Sequence, residues 1–470
     1  MSYTIEHIAS WLSTNSVIKT PAHIAHLLTD SRRLIYADTS LFFAITTEQN
    51  DGHVYVEELI QRGVFNFVVK TNFDTSAFPD ANFLKVNDVL VALQVIAKNH
   101  RAQFNYPVIG ITGSNGKTIV KEWLNQLLSN RYQIIRSPRS YNSQIGVPLS
   151  VWEMEKKHQL AIFEAGISQK GEMEVLANMI QPTIGILTSI GTAHQEGFES
   201  EAEKRNEKWK LFQNAQVIIA PLSELALDDN DVAHHSGYPS VITWCRSGAA
   251  TLKIQSETII QGHTHLQANY LGADLQLVVP FTDLISVNNT ITCLLTLLHL
   301  QVPMSEIQEG INQLRHLDMR MQIKKGIQHC YILNDSYSND VHSLQLALTY
   351  ATQQAGALPI TLILSDVAQF NQDAVQYDQL LQQLAVFPIK KLIAIGPHLA
   401  KALQKHKGLH NKGVHVISFD TTQQFIHQMD IYSFKEEFIL IKGARVFELE
   451  KINELLQLQV HKTMAEINLT

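Results

Sequence analysis

The sequence has few cysteines, no block of like charge and no long apolar run. Its 470 residues include three cysteines, Cys245, Cys293 and Cys330, without a CxxC pair, so neither a disulfide framework nor a zinc site is expected. A formal charge of -7, with both signs intermixed, provides no basic surface for nucleic acid. No apolar run reaches the roughly 18 residues of a membrane span, and the opening segment MSYTIEHIASWLSTNS lacks the pattern of a secretion signal. We therefore expect a cytoplasmic protein that binds neither nucleic acid nor membrane.

The sequence does contain a long alternation of strand-like and helix-like segments. Its hydrophobic content of 45% is enough for large cores, but 470 residues exceed one typical domain. Runs such as SLFFAIT and NFVVK predict a small α/β unit over residues 1–103. Further alternation predicts a mostly parallel sheet over 104–315, more β-like at 250–282, and a second α/β series over 316–460. The predicted fold class is α/β, in three domains.

The segment VIGITGSNGKTIVKEWL, residues 108–124, predicts a phosphate-binding loop. An apolar, strand-like run is followed by a glycine turn and then by apolar residues that share one helical face. Gly113 and Gly116 would let the backbone turn its N–H groups toward an anion. Lys117 can then reach terminal phosphates, and Thr118 can ligate Mg²⁺. The glycine spacing departs from the strict GxxxxGK[ST] pattern, and the alternative is a tight turn with a surface lysine; the strand–turn–helix context favours the phosphate loop.

Polar residues follow the ends of the later predicted strands. Glu164 ends the run LAIFE, a position suited to direct or indirect contact with Mg²⁺. Thr188 and His194 follow the next strand, and Lys208 lies on a charged helix shortly afterwards. Each of these residues alone is more often structural or solvated. Because ligands of open α/β sheets bind at the carboxyl ends of the strands, their succession along the chain favours a common site.

Seven segments resemble, in the same order, the motifs of the Mur ligases: GITGSNGKT, SYNSQIGVPLSV, FEAGISQKGEM, TSIGTAHQEGF, EKWKLF, NDSYSND and IKGAR. The resemblance covers nearly the whole chain, because TDSRR, LFFAI and DGH near its start look like the uridine-nucleotide-binding domain of that family. It is strongest to the members that add D-alanyl-D-alanine to UDP-N-acetylmuramoyl-tripeptide (UDP-MurNAc-tripeptide). It implies a UDP-MurNAc-peptide-binding domain at 1–103, a central ATP-binding domain with a P-loop-type, mostly parallel sheet at 104–315, and a Rossmann-like domain at 316–460.

The resemblance also implies roles for particular residues. The residues that would bind ATP are Gly113, Ser114, Asn115, Gly116, Lys117, Thr118, Asn289, Arg320 and Asp335. The residues that would contact the other substrates are Ser31, Arg32, Asp51, His53, Asn142, Thr188, Lys442 and Arg445. The catalytic residues would be Lys117, Glu164, His194 and Lys208, and the Mg²⁺ ligands would be Thr118, Glu164, His194 and Lys208. Lys208 is implied to carry a carbamate, which would turn a cation into an anion that ligates or orients a metal.

The implied activity is an ATP-dependent amide ligation in peptidoglycan precursor synthesis. A peptide carboxylate is a poor electrophile, so ATP would first convert it to an acyl phosphate, while Lys117 and Mg²⁺ neutralise the charge on the transferred group. The amine of D-alanyl-D-alanine would then attack, and phosphate would leave. Because an acyl phosphate hydrolyses in water, closure of the C-terminal domain over the site is expected.

Several positions depart from the usual motifs of the family. Ser143, Ser189 and Ser286 stand where asparagine or a histidine–asparagine pair is common, and Asn334 replaces the first acid of a usual pair. The predicted catalytic residues are retained, which favours an active ligase. One alternative is a relative that adds another amino acid to the same precursor, or glutamate to a folate. The other is a degenerate ligase that binds nucleotide, or supports a fused partner, without catalysis.

The final segment HKTMAEINLT, residues 461–470, resembles the opening strand of an alanine racemase. This resemblance implies that the chain is the ligase half of a fusion with a pyridoxal-phosphate racemase, whose own lysine lies outside this chain. The alternative is an ordinary polar tail.

Overall fold

Three sheets of four or more strands organise the computed structural model. The structure describes residues 1–48, 50–191, 197–225, 240–337, 339–367, 370, 373–405, 408–428, 430 and 433–457. The strands are β1 Tyr3–Thr4, β2 His23–Ile24, β3 His26–Leu28, β4 Ser40–Phe43, β5 Asn66–Lys70, β6 Asn82–Val86, β7 Val108–Thr112, β8 Ile134–Arg136, β9 Leu160–Glu164, β10 Ile184–Leu187, β11 Val217–Pro221, β12 Ser240–Cys245, β13 Leu252–Ile260, β14 His263–Tyr270, β15 Ala273–Val279, β16 Gln322–Lys325, β17 Tyr331–Asp335, β18 Ile360–Ser365, β19 Ile389–Ile395, β20 His415–Phe419 and β21 Phe438–Lys442. The helices are α1 Ile5–Trp11, α2 Val56–Gln61, α3 Val89–Arg101, α4 Lys117–Leu128, α5 Gly146–Trp152, α6 Glu172–Ile180, α7 Glu201–Trp209, α8 Leu284–His299, α9 Met304–Asn312, α10 Val341–Ala355, α11 Ala374–Leu384, α12 Pro397–Lys405, α13 Gly408–Asn411 and α14 Thr422–Gln428.

The N-terminal sheet has the order β3-β4-β5-β6, and all its neighbouring strands are parallel. Asp88 caps α3 by accepting from two backbone N–H groups, and the apolar face of α3 covers the sheet. Trp152 of α5 packs into the same core and donates its indole N–H to the Ala25 carbonyl at 2.8 Å. These contacts attach the N-terminal sheet to the following part of the chain.

The central sheet has the order β15-β14-β13-β12-β11-β10-β7-β9-β8. Strands β7 to β12 are parallel to all their neighbours. Strand β13 is parallel to β12 but antiparallel to β14, and β14 is antiparallel to β15. The predicted parallel sheet and the β-like stretch at 250–282 are therefore confirmed. Strand β7 lies between β10 and β9, so the segments that follow these strands emerge side by side at one edge.

The C-terminal sheet has the order β16-β17-β21-β18-β19-β20 and is parallel except for the edge strand β16. The predicted second α/β series is present, with strands β17 to β21 and the helices between them. The α/β fold class is confirmed. Strands β8 and β16 were not predicted, because they are short, lie at sheet edges and have no fully buried apolar run.

The predicted domain boundaries, after residues 103 and 315, fall between the three sheets. None of the helices in the described ranges combines the length and apolar character that a membrane crossing requires.

Candidate active site

The loop between β7 and α4 has a shape that only glycine permits at two positions. Gly113 has φ 149°, and Gly116, which caps the N-terminus of α4, has φ 88°. A Cβ atom at Gly113 would lie 2.0 Å from the Thr188 hydroxyl oxygen, and one at Gly116 would lie 2.4 Å from the Asn289 amide oxygen. The loop therefore packs closely between the residue after β10 and α8, and it leads directly into the N-terminus of α4.

The segment after β10 holds the loop in this shape. The Ser114 backbone N–H donates to the Ser189 carbonyl at 2.6 Å, and the Asn115 N–H donates to the Ser189 hydroxyl at 3.2 Å. The Thr188 hydroxyl donates to the Thr112 carbonyl at 3.3 Å and also contacts the Asn115 carbonyl. Thr188, predicted to contact substrate, and Ser189, a departure from the usual motif, thus support the loop backbone.

Three lysines converge on the carbonyls of this loop and of the neighbouring segment. Lys117 Nζ donates to the carbonyls of Gly113 at 2.7 Å and Ser114 at 3.2 Å, and Lys208 Nζ donates to the Gly113 carbonyl at 3.1 Å. Lys204 Nζ donates to the Gly191 carbonyl. Burial lowers the pKa of Lys117 to about 8. Burial, followed by the charges of Lys117 and Lys204, holds the pKa of Lys208 well below its usual range. A concentration of positive charge of this kind suits an anionic ligand.

A carboxylate and a hydroxyl lie together beside the first turn of α4. Glu164, at the end of β9, is fully buried, and its Oε2 accepts from the Thr118 hydroxyl at 3.0 Å. Its Oε1 pairs at 2.9 Å with Nζ of Lys121, which is also fully buried and donates to the Ser137 carbonyl at 2.7 Å. Carboxylate and hydroxyl oxygens are ligands that Mg²⁺ accepts, so Thr118 and Glu164 fit this ion.

The predicted metal ligand His194 lies in the segment 192–196, outside the described residues. In the ranges that the structure describes, no group of three or more His, Cys, Asp or Glu side chains has the arrangement of a metal site. The site described above is accordingly built on one carboxylate and one hydroxyl.

A cavity of about 550 Å³ opens next to the loop, between the ends of β10 to β12 and the start of α8. Asn115 and Asn289 line it, and the amide nitrogens of both side chains are buried without a hydrogen-bond partner in the described part of the chain. Buried amide donors without partners carry a free-energy cost, which a ligand with matching acceptors would remove. Trp244, Leu284 and Ile285 provide apolar walls, so the cavity suits a planar, partly polar group.

A residue next to the C-terminal sheet contacts the first turn of α4, directly after the loop. Arg320 donates from Nη2 to the Thr118 hydroxyl oxygen at 3.4 Å. Asp335, at the end of β17, accepts from Nζ of Lys442 at 2.6 Å in a buried ion pair. The guanidinium carbons of Arg320 and Arg445 lie 4.1 and 5.9 Å from the centre of one ring, that of Tyr337. The structure therefore brings the predicted residues Arg320, Asp335, Lys442 and Arg445 into one region.

The residues predicted near the N-terminus are less closely grouped. A cavity of about 490 Å³ lies between the N-terminal and central sheets, and Asp30 and Arg33 line it together with Tyr141, whose hydroxyl accepts from Arg33. Ser31 is buried, and Arg32 is exposed and pairs with Asp30 at 2.9 Å; neither lines this cavity.

Two further substrate predictions concern a turn of the N-terminal sheet. The Asp51 carboxylate accepts from the His53 backbone N–H at 3.1 Å and lies 2.6 Å from its ring nitrogen Nδ1, so the pair caps a short helical turn. Neither residue lines the 490 Å³ cavity. Asn142 accepts at its backbone carbonyl from the Gly166 N–H at 2.8 Å, which places it beside the end of β9.

Known proteins are similar to this chain in sequence and in fold. Residues 111–297 match the family model of the Mur ligase middle domain. Over 440 residues the chain is 26% identical to the UDP-N-acetylmuramoyl-tripeptide--D-alanyl-D-alanine ligase of Treponema pallidum (strain Nichols), covering 91% of this chain and 93% of the relative. The structure of the present chain is similar to a crystal structure of MurF from Acinetobacter baumannii, with a TM-score of 0.81 and 22% identity. The match covers 97% of this chain and 99% of the other. The chain has the Mur ligase fold. The MurF ligase of Thermotoga maritima in complex with ADP is also similar, with a TM-score of 0.71, 17% identity and coverage of 93% and 98%.

Two side chains within this Mur ligase fold were not among the predicted site residues. Lys121 stands one helical turn after Lys117, and the signal available in the sequence was a lysine on the apolar side of α4. Tyr337 stands two residues after Asp335 within the quoted NDSYSND motif. In both cases the partner that makes the residue important lies outside the motif that contains the residue.

Proposed function

We propose that the chain is an ATP-dependent ligase that joins D-alanyl-D-alanine to UDP-MurNAc-tripeptide through an acyl phosphate, in peptidoglycan precursor synthesis. The observation that carries this proposal is the meeting of the glycine loop and the first turn of α4 with Lys208 of α7, Glu164 of β9 and Arg320, which precedes β16. The Treponema pallidum relative carries the name of this activity, and the Thermotoga maritima structure contains ADP. Acceptance of amino acids other than D-alanyl-D-alanine is the second candidate, because the motifs depart from the usual pattern of the family at positions such as Ser189, which lines the 550 Å³ cavity.

ATP would occupy the 550 Å³ cavity and the adjoining loop. Asn115 and Asn289 would offer their unpartnered amide donors to the base. The N-terminus of α4, Lys117 and Arg320 would then surround the terminal phosphates, where negative charge develops during phosphoryl transfer. Asp335 is predicted to contact the ribose.

Thr118 and Glu164 would hold Mg²⁺, together with His194 as a prediction that lies outside the described residues. A bound Mg²⁺ would supply neutralisation of the phosphate charge. Glu164 Oε2 and the Thr118 hydroxyl oxygen would bind the ion on the side of the glycine loop. Glu164 Oε1 is paired with Nζ of Lys121.

The carbamate on Lys208 is also a proposal. Lys208 is buried beside Lys117 and Lys204, and in the described residues it pairs with no carboxylate. Loss of one proton leaves the Lys208 amine uncharged, and addition of carbon dioxide with loss of a second proton would then form a carbamate anion. This anion would stand beside the two remaining cations in place of a third like charge. A carbonyl signal from ¹³C-bicarbonate in the wild type, absent from Lys208→Met, would support it; the same signal in both proteins would contradict it.

Each of the three domains is assigned a part in substrate binding. We propose that residues 1–103 bind the uridine nucleotide, with Thr29, Asp30 and Arg33 at the 490 Å³ cavity, that 104–315 bind ATP, and that 316–460 complete the site on closure. Ser31, Arg32, Asp51, His53, Asn142, Thr188, Lys442 and Arg445 stay predicted substrate contacts. A cytoplasmic location is part of the same proposal. The relatives give no support to a fused racemase, and residues 461–470 lie outside the described part of the chain.

The test is phosphate release from ATP and Mg²⁺ with UDP-MurNAc-tripeptide, measured with and without D-alanyl-D-alanine. Release that depends on the dipeptide, disappears in Lys117→Ala and persists in Lys157→Ala, an exposed lysine of the same domain, would establish the ligase. Release with other amino acids instead would favour the second candidate. Folded protein that binds ATP without any release would favour a degenerate ligase.

A further inference from the structure

Two arginines of the C-terminal domain face the ring of Tyr337, the second residue after β17. The guanidinium carbon of Arg320 lies 4.1 Å from the ring centre, and that of Arg445 lies 5.9 Å from it. Both distances are within the range of cation–π attraction, and the shorter one indicates close stacking of a planar guanidinium on the ring face.

Arg320 has the environment of a group that is available to an external anion. Its Nη2 reaches the Thr118 hydroxyl oxygen at 3.4 Å, and its charge is close enough to Lys117 to lower the pKa of that lysine, after the larger effect of burial. In the described residues no carboxylate forms an ion pair with the Arg320 guanidinium. The ring of Tyr337 is therefore the main support of this guanidinium within the described structure.

The backbone around Arg320 is constrained as well. Its neighbours Met319 and Met321 have φ of 59° and 52°, a left-handed conformation that residues other than glycine seldom adopt. The Met321 N–H donates to Asp335 Oδ1 at 3.3 Å, while Asp335 Oδ2 pairs with Lys442. Such conformations persist only where the surroundings fix them. Asp335 therefore connects the backbone beside Arg320 to the strand that presents Tyr337.

We propose that Tyr337 is a positioning residue, which holds the Arg320 guanidinium over the phosphate loop so that it meets the terminal phosphates of bound nucleotide. A long arginine side chain loses conformational freedom when it binds an anion, and stacking on a fixed ring reduces that loss in advance. The contact uses the face of the ring, so the hydroxyl of Tyr337 is not needed. This inference rests on the proposed function, because it takes the anion at the loop to be the phosphates of ATP.

A double-mutant cycle tests the inference. Tyr337→Leu keeps apolar volume but removes the ring face, Tyr337→Phe keeps the ring face, and Arg320→Ala removes the guanidinium. ATP affinity is measured by calorimetry, with the KM for ATP and for UDP-MurNAc-tripeptide and the unfolding midpoint measured in parallel. Tyr331→Ala, which removes an exposed tyrosine at the start of the same strand, is the matched control.

We expect Tyr337→Leu to weaken ATP binding about tenfold and to raise the KM for ATP but not for the tripeptide. Tyr337→Phe and Tyr331→Ala should stay within about twofold of the wild type. In the Arg320→Ala background Tyr337→Leu should have no further effect, because Tyr337 acts through Arg320.

Additive effects of Tyr337→Leu and Arg320→Ala would overturn the inference, and so would equal losses in Tyr337→Phe and Tyr337→Leu. If the wild type binds ATP but releases no phosphate in the presence of the dipeptide, the proposed ligase function fails, while the cycle on ATP affinity still decides the role of Tyr337. Absence of ATP binding to the folded wild type would refute both.

Discussion

Substitution of Gly116 by alanine separates backbone strain from a steric collision in the nucleotide site. Gly116 caps α4 with φ 88°, and a Cβ atom there would lie 2.4 Å from Oδ1 and 3.3 Å from Nδ2 of Asn289. Gly171 caps α6 with the same φ of 88°, but a Cβ atom there would meet no atom within 4 Å. The two glycines therefore form a matched pair that differs in surroundings and not in conformation.

The magnitudes follow from these two environments. A left-handed conformation costs a residue with a side chain about 1–2 kcal/mol, so this backbone contribution should lower the free energy of unfolding by about that amount in both Gly116→Ala and Gly171→Ala. Only Gly116→Ala also displaces the buried amide of Asn289, whose nitrogen faces the nucleotide cavity. Loss of one hydrogen bond is worth about 0.5–1.5 kcal/mol, which corresponds to ATP binding up to about tenfold weaker.

The assay combines denaturant unfolding with calorimetric ATP binding for the wild type and both variants. We expect a larger loss of stability in Gly116→Ala than in Gly171→Ala, because only Gly116→Ala adds a collision with a buried side chain. The dissociation constant for ATP should be unchanged in Gly171→Ala and raised in Gly116→Ala. When Asn289→Ala is introduced first, the collision is removed, so Gly116→Ala should then have little further effect on ATP affinity. Equal ATP affinities for the two glycine variants would refute the placement of Asn289 against the loop as the reason for this glycine.

Two other predictions concern buried charged or titratable groups. Burial lowers the pKa of His100 to about 4; its Nδ1 lies 2.8 Å from the Tyr3 hydroxyl, and its Nε2 lies 3.0 Å from the Met154 carbonyl. The unfolded chain protonates the His100 ring at higher pH than the folded protein does, so stability should fall as pH decreases from about 6.5 to about 4. The difference in unfolding free energy between wild type and His100→Gln should shrink over that interval. A difference independent of pH would contradict this prediction. Lys121→Met should lower the free energy of unfolding by about 3–5 kcal/mol, because it leaves the Glu164 carboxylate buried without its ammonium partner. The double variant Lys121→Met/Glu164→Gln should recover part of this loss. Equal stability of the single and double variants would count against the ion pair.

The local elements of the site were predictable from short stretches of sequence. The apolar run at β7, the glycine turn and the apolar face of α4 are contiguous, and the structure confirms them. The strand-end position of Glu164 was predicted in the same way. Hydrophobic periodicity and glycine placement act over a few residues, so they can be read without knowledge of the rest of the chain.

The pairing of distant residues was not predictable in this way. Arg320 and Thr118 stand 202 positions apart, and Lys442 and Asp335 stand 107 positions apart. Sequence motifs associated Arg320, Thr118 and Asp335 with ATP and Lys442 with another substrate, but they did not indicate that Asp335 would pair with Lys442 or that Tyr337 would lie under Arg320. Nor did they show that Asp51 and His53 would cap a turn away from the N-terminal cavity.

The sequence by itself thus determined the α/β elements, their order and the chemistry available at each strand end. Tertiary structure decided which of those strand ends meet and which charged groups pair, such as Lys121 with Glu164. It also buried Lys208 beside two other lysines, which lowers the pKa of Lys208. The physical reason is that strand and helix formation depend on local periodicity, whereas ion pairing and desolvation depend on distances and burial set by the packing of three separate sheets.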